Sequence, residues 1–299
     1  MLFDVIVGNP PYQGAKSKDT KKGKPPTIWH KFVEVLNGYL KPDGVMVMVH
    51  PAMYRKPGNP LQSVLYHNNR QLHMYNNAEA MVTFKASTRY DWYVIDKTYT
   101  GPTEVTFEDT STHKIDISKL TFLPNGSWTI WDKCADLVTQ HGDLKAIKDP
   151  TRVTGKGPYP VVQTVTTTKG VVLQQTSVSP KYLTDKKVII AESGRYIGYY
   201  DDGQYAMGSN CYHIPVSGQD EGDTIVNFIK SKLGINLVES CKWGNFRTER
   251  VVWEHIPNVY EMGLTPTSTD ADIYQAFGLS DQEIKFVESF RYGTRRSVL

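Results

Sequence analysis

Short apolar runs alternate with a helical pattern over the first hundred residues of this chain. Phe3 to Val7 is apolar except at Asp4, and residues 27–40 carry apolar side chains at helical spacing. A turn at Lys41 to Gly44 precedes a second apolar run, Val45 to Val49. We therefore predict a strand, a helix and a strand that form a right-handed βαβ unit with two parallel strands.

Three later segments are short and rich in apolar or aromatic residues, which predicts further strands: Gln71 to Tyr75, Ala80 to Phe84 and Trp92 to Asp96. The run from Phe3 to Val7 is nearly continuous in its apolar character. Such a run is typical of a strand that is covered on both faces inside a parallel sheet. The sequence therefore predicts that the first strand lies inside the sheet and not at its margin.

From about residue 110 the composition shifts to Thr, Val, Tyr, Gly and Pro, with short strands between turns: Gln163 to Thr168, Val171 to Gln175, Val188 to Glu192 and Tyr212 to Val216. A Ser-x-x-Glu capping box at Ser280 predicts a C-terminal helix. The expected fold is α/β, with a partial Rossmann-like sheet in residues 1–110 and a β-rich (α+β) domain in residues 111–299.

Composition narrows the class of protein without identifying a ligand. Lysine and arginine number 34 against 31 aspartates and glutamates, so any basic surface must come from clustering. The cysteines and histidines have no metal-ligand spacing, and we expect neither a disulfide framework nor a metal site. No apolar run approaches the roughly 20 residues that span a bilayer. We expect a soluble, cytoplasmic protein.

The tetrad Asn9-Pro10-Pro11-Tyr12 follows the first predicted strand directly. Two consecutive prolines fix φ and hold the preceding residue in an extended conformation, so the chain leaves the strand stiffly. The Asn9 amide oxygen and the Pro10 carbonyl oxygen would offer two acceptors to a planar amino group. The ring of Tyr12 would offer a flat face to a base.

The stretch from Phe3 to Gln13 resembles the catalytic motif of the adenine-specific, amino-methylating DNA methyltransferases of restriction–modification systems, especially the type II and IIG-like group. Further similar stretches cover residues 26–32, 40–44, 88–94, 200–203 and 253–257. The resemblance therefore extends over most of the chain. Its later stretches are similar to pieces of the family's target-recognition region.

The resemblance implies that an adenine is flipped out of double-stranded DNA and that its amino nitrogen attacks the methyl group of S-adenosyl-L-methionine directly. The catalytic residues that it implies are Asn9, Pro10, Pro11 and Tyr12. A second aromatic side chain completes the stack on the base in this family. Tyr90 or Trp92 is the nearest match.

One part of the family's pattern is missing. These methyltransferases carry a Gly-rich turn and an acidic residue for S-adenosyl-L-methionine before the tetrad strand, whereas eight residues precede Asn9 here. Cofactor-binding residues are therefore not assigned. We expect a partner subunit to supply the missing strands and most of the cofactor site, in a heterodimer. An isolated fragment or an inactive relative would leave the same trace.

Basic residues near the tetrad and in the second half are candidates for DNA contacts. The lysines after the tetrad would either grip phosphates or form a solvated loop without a role. Basic and aromatic residues interleave in the second half, which favours contacts to phosphates or base edges. The candidate DNA-binding residues are Lys16, Lys18, Lys21, Lys22, Lys24, Arg195, Lys242, Arg247 and Arg250.

Three other interpretations stay open. The chain could recognise DNA as a specificity subunit that has lost its chemistry. Methyltransferases that modify glutamine side chains of proteins share the tetrad, because a carboxamide presents the same planar NH2 group, but they lack a long recognition domain. The tetrad could also stand in a loop by chance.

Overall fold

The computed structural model describes residues 1–15, 25–166, 168–193, 197–244 and 247–290. It divides into two compact units, of which the first contains Met1–Gly126 and the second begins at Ser127. The break lies beyond the functional boundary expected near residue 110. The assignment of catalysis to one unit and of recognition to the other stays a prediction.

The first unit is built on strands joined by short helices. Its elements are β1 (Phe3–Gly8), α1 (Trp29–Gly38), β2 (Leu40–Pro51), a 3-10 helix (Ala52–Arg55), α2 (Gln62–Leu65), β3 (Asn69–Tyr75), α3 (Asn77–Phe84), β4 (Tyr90–Asp96), β5 (Thr103–Thr106), β6 (Thr112–Ile115) and a second 3-10 helix (Ile117–Lys119).

The described strands of this unit form one mixed sheet in the order β1-β2-β4-β3-β5-β6. β1 and β2 are parallel, with Val5 opposite Val45 and Gly8 opposite Met48, so the predicted βαβ unit is confirmed. β4 is antiparallel to both of its neighbours. The expectation that the first strand lies inside the sheet is wrong for this chain by itself, because no described strand pairs with β1 on its other side.

The two faces of the sheet are covered unequally at β1 and β2. Met48 and His50 are fully buried, and Trp29 of α1 stacks on His50 with ring centroids 4.4 Å apart, so α1 lies on this face. Side chains of the opposite face are open: Val5 is 60% exposed and Val7 is 73% exposed. The core of the unit therefore lies on the α1 side of these two strands.

The turn expected at Lys41 to Gly44 is part of β2, which runs from Leu40 to Pro51. A Cβ atom on Gly44 would lie 2.8 Å from the Leu40 side chain and 3.1 Å from the Asp4 carbonyl oxygen. Glycine therefore permits a close approach of β2 to β1 here, and the strand continues where Pro-Asp-Gly predicted a turn.

The strand predicted at Ala80 to Phe84 is wrong, because these residues belong to the helix α3. Asn76 caps the helix: its side chain accepts from the backbone N–H of Glu79 at 3.1 Å, and the Glu79 carboxylate accepts from the N–H of Asn76 at 2.8 Å. This capping box satisfies backbone donors that a strand would have paired with a neighbour.

The second unit mixes two small sheets with helices. Its elements are α4 (Trp128–His141), β7 (Tyr159–Thr166), β8 (Gly170–Thr176), β9 (Lys186–Ala191), β10 (Gly198–Asp202), β11 (Ala206–Met207), β12 (Cys211–Pro215), α5 (Gln219–Lys230), α6 (Lys232–Ser240), a 3-10 helix (Arg250–His255), α7 (Asp270–Ala276) and α8 (Asp281–Ser289).

Its sheets have the orders β10-β9-β12 and β11-β7-β8. The four strands predicted in this half are confirmed as β7, β8, β9 and β12 with shifted ends, and the capping box at Ser280 is confirmed at the start of α8. The helices α4 to α7 were not predicted, so the unit is more helical than its composition indicates. The protein is a mixed α/β structure with one six-stranded mixed sheet and two smaller sheets.

Replacing Asn76 by alanine is expected to lower the free energy of unfolding by about 1 kcal/mol, because the N-terminal turn of α3 loses its cap. Urea denaturation followed by circular dichroism measures the change. The matched control is Asn77→Ala, which alters an exposed asparagine inside the same helix and leaves the cap in place. Equal destabilisation by the two substitutions would contradict the capping role of Asn76.

Candidate active site

The tetrad stands at the carboxyl end of β1, where that strand leaves the sheet. β1 ends at Gly8, the Asn9 side chain is exposed, and Pro10 is buried. Among the described residues no hydrogen bond engages the Asn9 carboxamide or the Pro10 carbonyl. A buried proline therefore anchors an exposed amide whose acceptor oxygen is available to a ligand.

Backbone hydrogen bonds fix the chain immediately after the tetrad. The Tyr12 carbonyl accepts from the N–H of Ile28 at 3.1 Å, and the N–H of Gly14 donates to the Pro26 carbonyl at 2.8 Å. An antiparallel bridge joins Gln13 to Thr27 between these two bonds. The tetrad is consequently held from both sides, by β1 before it and by this bridge after it.

Tyr12 is half-buried, and its hydroxyl is buried without a hydrogen-bond partner in the described structure. Burial, with a smaller effect of the nearby Tyr90, raises the pKa of Tyr12 to about 12. The side chain is therefore a neutral phenol at physiological pH. No described aromatic ring stacks on the Tyr12 ring.

Tyr90 and Trp92 are the two stacking candidates from the sequence, and the structure places them in different surroundings. Tyr90 is 6% exposed and stacks on Tyr75 at 4.6 Å between ring centroids, with the edge of Phe84 at 4.8 Å. Trp92 is half-buried and stacks on His73 at 5.5 Å. Tyr90 is enclosed by its neighbours, whereas Trp92 keeps part of its surface accessible.

Tyr90 and Trp92 form an aromatic row with His73 and Tyr75. Sequence reasoning missed the last two. They project from β3 beside β4, where His73 pairs with Trp92 and Tyr75 pairs with Tyr90. The Trp92 indole N–H donates to the Tyr75 hydroxyl at 3.2 Å. Alternation along residues 71–75 gives both side chains the same face, but only the register of two strands assigns their partners.

Sheet register sets the distance between the tetrad and the aromatic row. Gly8 lies opposite Met48, so Asn9 stands level with Val49, which pairs with Trp92. Adjacent strands are about 4.8 Å apart, which places the backbone of Trp92 about 10 Å from that of Asn9. Asn9 and Trp92 thus lie at one end of the sheet, on either side of Val49.

A buried ion pair holds β4 from the opposite face. Asp91 lies between Tyr90 and Trp92 in sequence, and Arg55 places its Nε 2.9 Å from the Asp91 carboxylate, with both side chains fully buried. Burial opposes the charge on Arg55, but the carboxylates of Asp91 and Glu108 outweigh it and raise the pKa of Arg55. The pair fixes the strand that carries the aromatic row, because separating it would leave an uncompensated buried charge.

Six of the nine candidate DNA-binding residues lie outside the described residues: Lys16, Lys18, Lys21, Lys22 and Lys24 near the tetrad and Arg195 of the second unit. Arg247 is described, and its side chain is 52% exposed with one guanidinium nitrogen 3.5 Å from Glu192. Its role in DNA binding stays a prediction.

Lys242 and Arg250 of the second unit are engaged in local ion pairs. Lys242 is 6% exposed, and its ammonium donates to Glu239 at 2.8 Å. Arg250 donates to Glu254 one helical turn away and to the Ala146 carbonyl at 3.2 Å. These partners account for their charges within the protein, so a contact with DNA requires an exchange of partners.

The loop that follows β1 does not have the form of a Gly-rich turn for S-adenosyl-L-methionine. The connection that leaves β1 carries two prolines, and a Cβ atom on its Gly14 would lie 3.2 Å from Ile28 and 3.3 Å from Pro26. That glycine packs against its own loop and leaves no cradle for a ligand. The residues that bind S-adenosyl-L-methionine therefore stay unassigned.

The described residues contain no group of three or more histidine, cysteine, aspartate or glutamate side chains arranged to hold a metal ion. None of their helices combines the length and the apolar character needed to cross a membrane.

Comparison with known proteins finds one family model that matches the N-terminal part of the chain. Residues 1–83, which include the tetrad, match the model of the Eco57I restriction-modification methylase family. No curated protein matches the chain.

Several solved structures of restriction–modification proteins also match. The type IIL enzyme MmeI in complex with DNA has 9% identity over 96% of this chain and 54% of that chain, with a TM-score of 0.47. The type IIG restriction endonuclease BpuSI has 12% identity over 96% and 49%, with a TM-score of 0.33. A type I methyltransferase subunit from Streptococcus thermophilus has 19% identity over 40% and 30%, with a TM-score of 0.27. The chain spans 30% to 54% of the length of these three proteins.

The unpaired hydroxyl of Tyr12 has a measurable consequence for stability. Tyr12→Phe is expected to leave the free energy of unfolding unchanged or to raise it by up to about 1 kcal/mol, because it removes a buried group without a partner. The control Tyr93→Phe deletes a hydroxyl that lies 3.0 Å from His50 Nε2 and is expected to cost about 1–2 kcal/mol. Denaturant titration distinguishes the two. A loss at Tyr12 as large as that at Tyr93 would mean that its hydroxyl is satisfied.

Proposed function

We propose that this chain is the catalytic and target-recognition part of a DNA adenine-N6 methyltransferase of a restriction–modification system. It works with a second polypeptide that supplies most of the binding site for S-adenosyl-L-methionine. The observation that carries this proposal is the exposed Asn9 carboxamide, which a buried proline anchors at the carboxyl end of β1. The match of residues 1–83 to a restriction-modification methylase family supports it.

The proposed chemistry uses two acceptors and one ring. The Asn9 amide oxygen and the Pro10 carbonyl oxygen accept hydrogen bonds from the two N–H groups of the exocyclic amine of adenine. Both protons are then engaged, which increases the electron density on the nitrogen and orients its lone pair. The Tyr12 ring stacks on the base, and its phenol stays neutral because its pKa is about 12. The methyl donor supplies the transferred group.

An adenine inside a duplex cannot reach this position, so the base must be flipped out. Flipping costs a few kcal/mol of lost pairing and stacking, which contacts with aromatic faces offset. Trp92, with His73 stacked on it, is the better second surface, because Tyr90 is already enclosed by Tyr75 and Phe84. Trp92, and not Tyr90, is therefore the proposed second stacking side chain.

The second unit is proposed to recognise the DNA sequence. Arg247 is its best described candidate for a phosphate or base contact, because its side chain is about half exposed. Arg247, Lys242 and Arg250 are all ion-paired, and the last two contribute less because their side chains are only 8% and 38% exposed. The tetrad-loop lysines and Arg195 would add phosphate contacts, which make binding sensitive to salt.

Two alternatives differ from this proposal in what they bind or catalyse. A specificity subunit without chemistry would bind DNA and would leave adenine unmodified in the presence of every partner. A protein-glutamine methyltransferase would modify a peptide carboxamide and would not require the second unit. Assays on duplex DNA and on a glutamine-containing peptide separate the three.

Asn9→Ala is expected to reduce adenine methylation by at least about 100-fold, because the amine loses an acceptor that acts at the reacting atom. The assay combines the full chain, the protein encoded beside it, labelled S-adenosyl-L-methionine and genomic DNA that lacks N6-methyladenine. Methyladenosine is quantified by mass spectrometry.

The control Asn77→Ala alters an exposed asparagine on α3 and is expected to retain full activity. DNA affinity, measured by fluorescence anisotropy, should be the same for the wild type and for both variants. Methylation that survives Asn9→Ala unchanged would refute the role of Asn9, and loss of DNA affinity together with activity would point to a structural role.

A further inference from the structure

We propose that the β7–β8 hairpin of the second unit lies in the major groove of double-stranded DNA, where Gln174 contacts base edges and Arg152, Lys156 and Lys169 contact phosphates. The inference deepens the proposed function, on which it rests for the identity of DNA as the ligand. It assigns sequence recognition to one element, and to residues outside the basic candidates taken from the sequence.

The segment that contains this hairpin has no acidic residue. Residues 150–184 include four lysines and arginines but neither aspartate nor glutamate. The chain has 31 acidic residues in 299, so a segment of this length would carry three or four on average. A surface with positive charge alone attracts a polyanion and does not repel its phosphates. The charge pattern therefore favours DNA as the ligand of this segment.

Three of these basic side chains have no carboxylate partner. Arg152, Lys156 and Lys169 are exposed, and none of them forms an ion pair with another residue that the structure describes. Lys181, the fourth, lies 3.6 Å from Asp149. The described basic candidates taken from the sequence are all held by carboxylates. Arg152, Lys156 and Lys169 can therefore bind phosphates without giving up a partner.

Lys169 lies at the turn of the hairpin. β7 ends at Thr166, and β8 begins at Gly170. The N–H of Lys169 donates to Thr166 Oγ1 at 3.1 Å, and Gly170 has a φ of 62°, which glycine adopts without strain. One phosphate contact is therefore available at the start of β8.

Arg152 and Lys156 lie beside the other end of β8. The Thr176 hydroxyl donates to the Arg152 carbonyl at 2.6 Å. The N–H of Gly155, which precedes Lys156, donates to the Gln175 carbonyl at 3.0 Å. β8 has seven residues, none of them charged, and is about 20 Å long. Positive charge is thus present at both ends of a neutral strand.

The face of the hairpin opposite the core carries neutral side chains that can read bases. Val165 and Val171 pair across the hairpin and belong to the core of this unit. Neighbouring residues alternate to the other face, which carries Thr164, Val172 and Gln174. The Gln174 side chain is exposed and forms no hydrogen bond within the described ranges.

These side chains match the chemistry of the major groove. The groove is about 12 Å wide and admits a two-stranded β-ribbon. A glutamine carboxamide pairs with N6 and N7 of adenine, a threonine hydroxyl bonds to several base edges, and an apolar side chain contacts the thymine methyl group. Cations at the ends of β8 would fix its position on the backbone while Gln174 reads a base pair.

Other occupants fit the hairpin less well. Proteins bind single-stranded nucleic acid by stacking bases on aromatic side chains, and residues 160–176 contain none. A polypeptide could pair with β8, but part of its backbone is already engaged, because the Gln175 carbonyl accepts from the N–H groups of Thr154 and Gly155. Duplex DNA uses both the charge at the ends and the neutral face between them.

The first experiment selects binding sites for the full chain from a library of randomised DNA duplexes and sequences the bound fraction. Gln174→Ala is expected to enrich the wild-type motif with its preference at one base pair reduced by at least about fivefold, because a bidentate base contact is lost. The matched control Gln282→Ala changes an exposed glutamine of α8 and should return the wild-type motif.

The second experiment measures affinity for duplex DNA by fluorescence anisotropy at several salt concentrations. Lys169→Ala is expected to weaken binding severalfold for every sequence and to reduce the slope of log affinity against log salt by about 1, because one phosphate contact is lost. Lys285→Ala, which changes an exposed lysine of α8, should leave the slope unchanged. Circular dichroism verifies that all variants are folded.

An unchanged motif for Gln174→Ala, an unchanged salt slope for Lys169→Ala, or a preference of the wild type for single-stranded DNA would each overturn the inference. Adenine methylation by the wild type together with an unchanged Gln174→Ala motif would refute the hairpin alone and leave the proposed function standing. The expected changes in motif and slope without any methylated adenine would refute the proposed chemistry and leave the hairpin as the reading element.

Discussion

The parallel pairing of β1 with β2 determines where every candidate catalytic group lies. Its register carries Gly8 to the level of Met48 and so delivers Asn9 to the end of the sheet where β4 presents Trp92. A shift of one residue would turn the alternating side chains of β1 to the opposite faces. Gly44 allows the close approach of the two strands at the start of this pairing.

The same pairing creates the main physical conflict in the structure. β1 has the apolar composition of an interior strand, yet β2 is its only described neighbour, and Val5 and Val7 are largely exposed. Elsewhere in the first unit, Arg55, Asp91 and Met48 are fully buried. These exposed valines lie at the margin of the sheet next to the tetrad.

Sequence periodicity was sufficient for the elements whose burial is regular. β1, α1 and β2 follow from short apolar runs around a helical repeat, and the capping box at Ser280 predicted α8. The strand prediction for residues 80–84 failed because their apolar side chains suit a strand and a short helix equally. The capping box formed by Asn76 and Glu79 is the sequence signal that favours a helix there. The helices α5 and α6 carry buried apolar residues at helical spacing, so their patterns were present but were not weighed.

The candidate site was predictable only as far as it is contiguous in sequence. The tetrad was found because four neighbouring residues define it, whereas the aromatic row of β3 and β4 depends on a register that no local pattern contains. The ion pairs of Lys242 and Arg250 follow from helical neighbours, Glu239 and Glu254, that lie three and four residues away in sequence. Those spacings indicated that the charges would be satisfied locally.

The division of labour proposed here, with the adenine held by this chain and the methyl donor held by another, can be examined by isothermal titration of S-adenosyl-L-methionine into the purified chain. The chain alone should give no saturable heat, and saturable binding should arise once the proposed second polypeptide is added. Saturable micromolar binding by the folded chain without any partner would contradict this division.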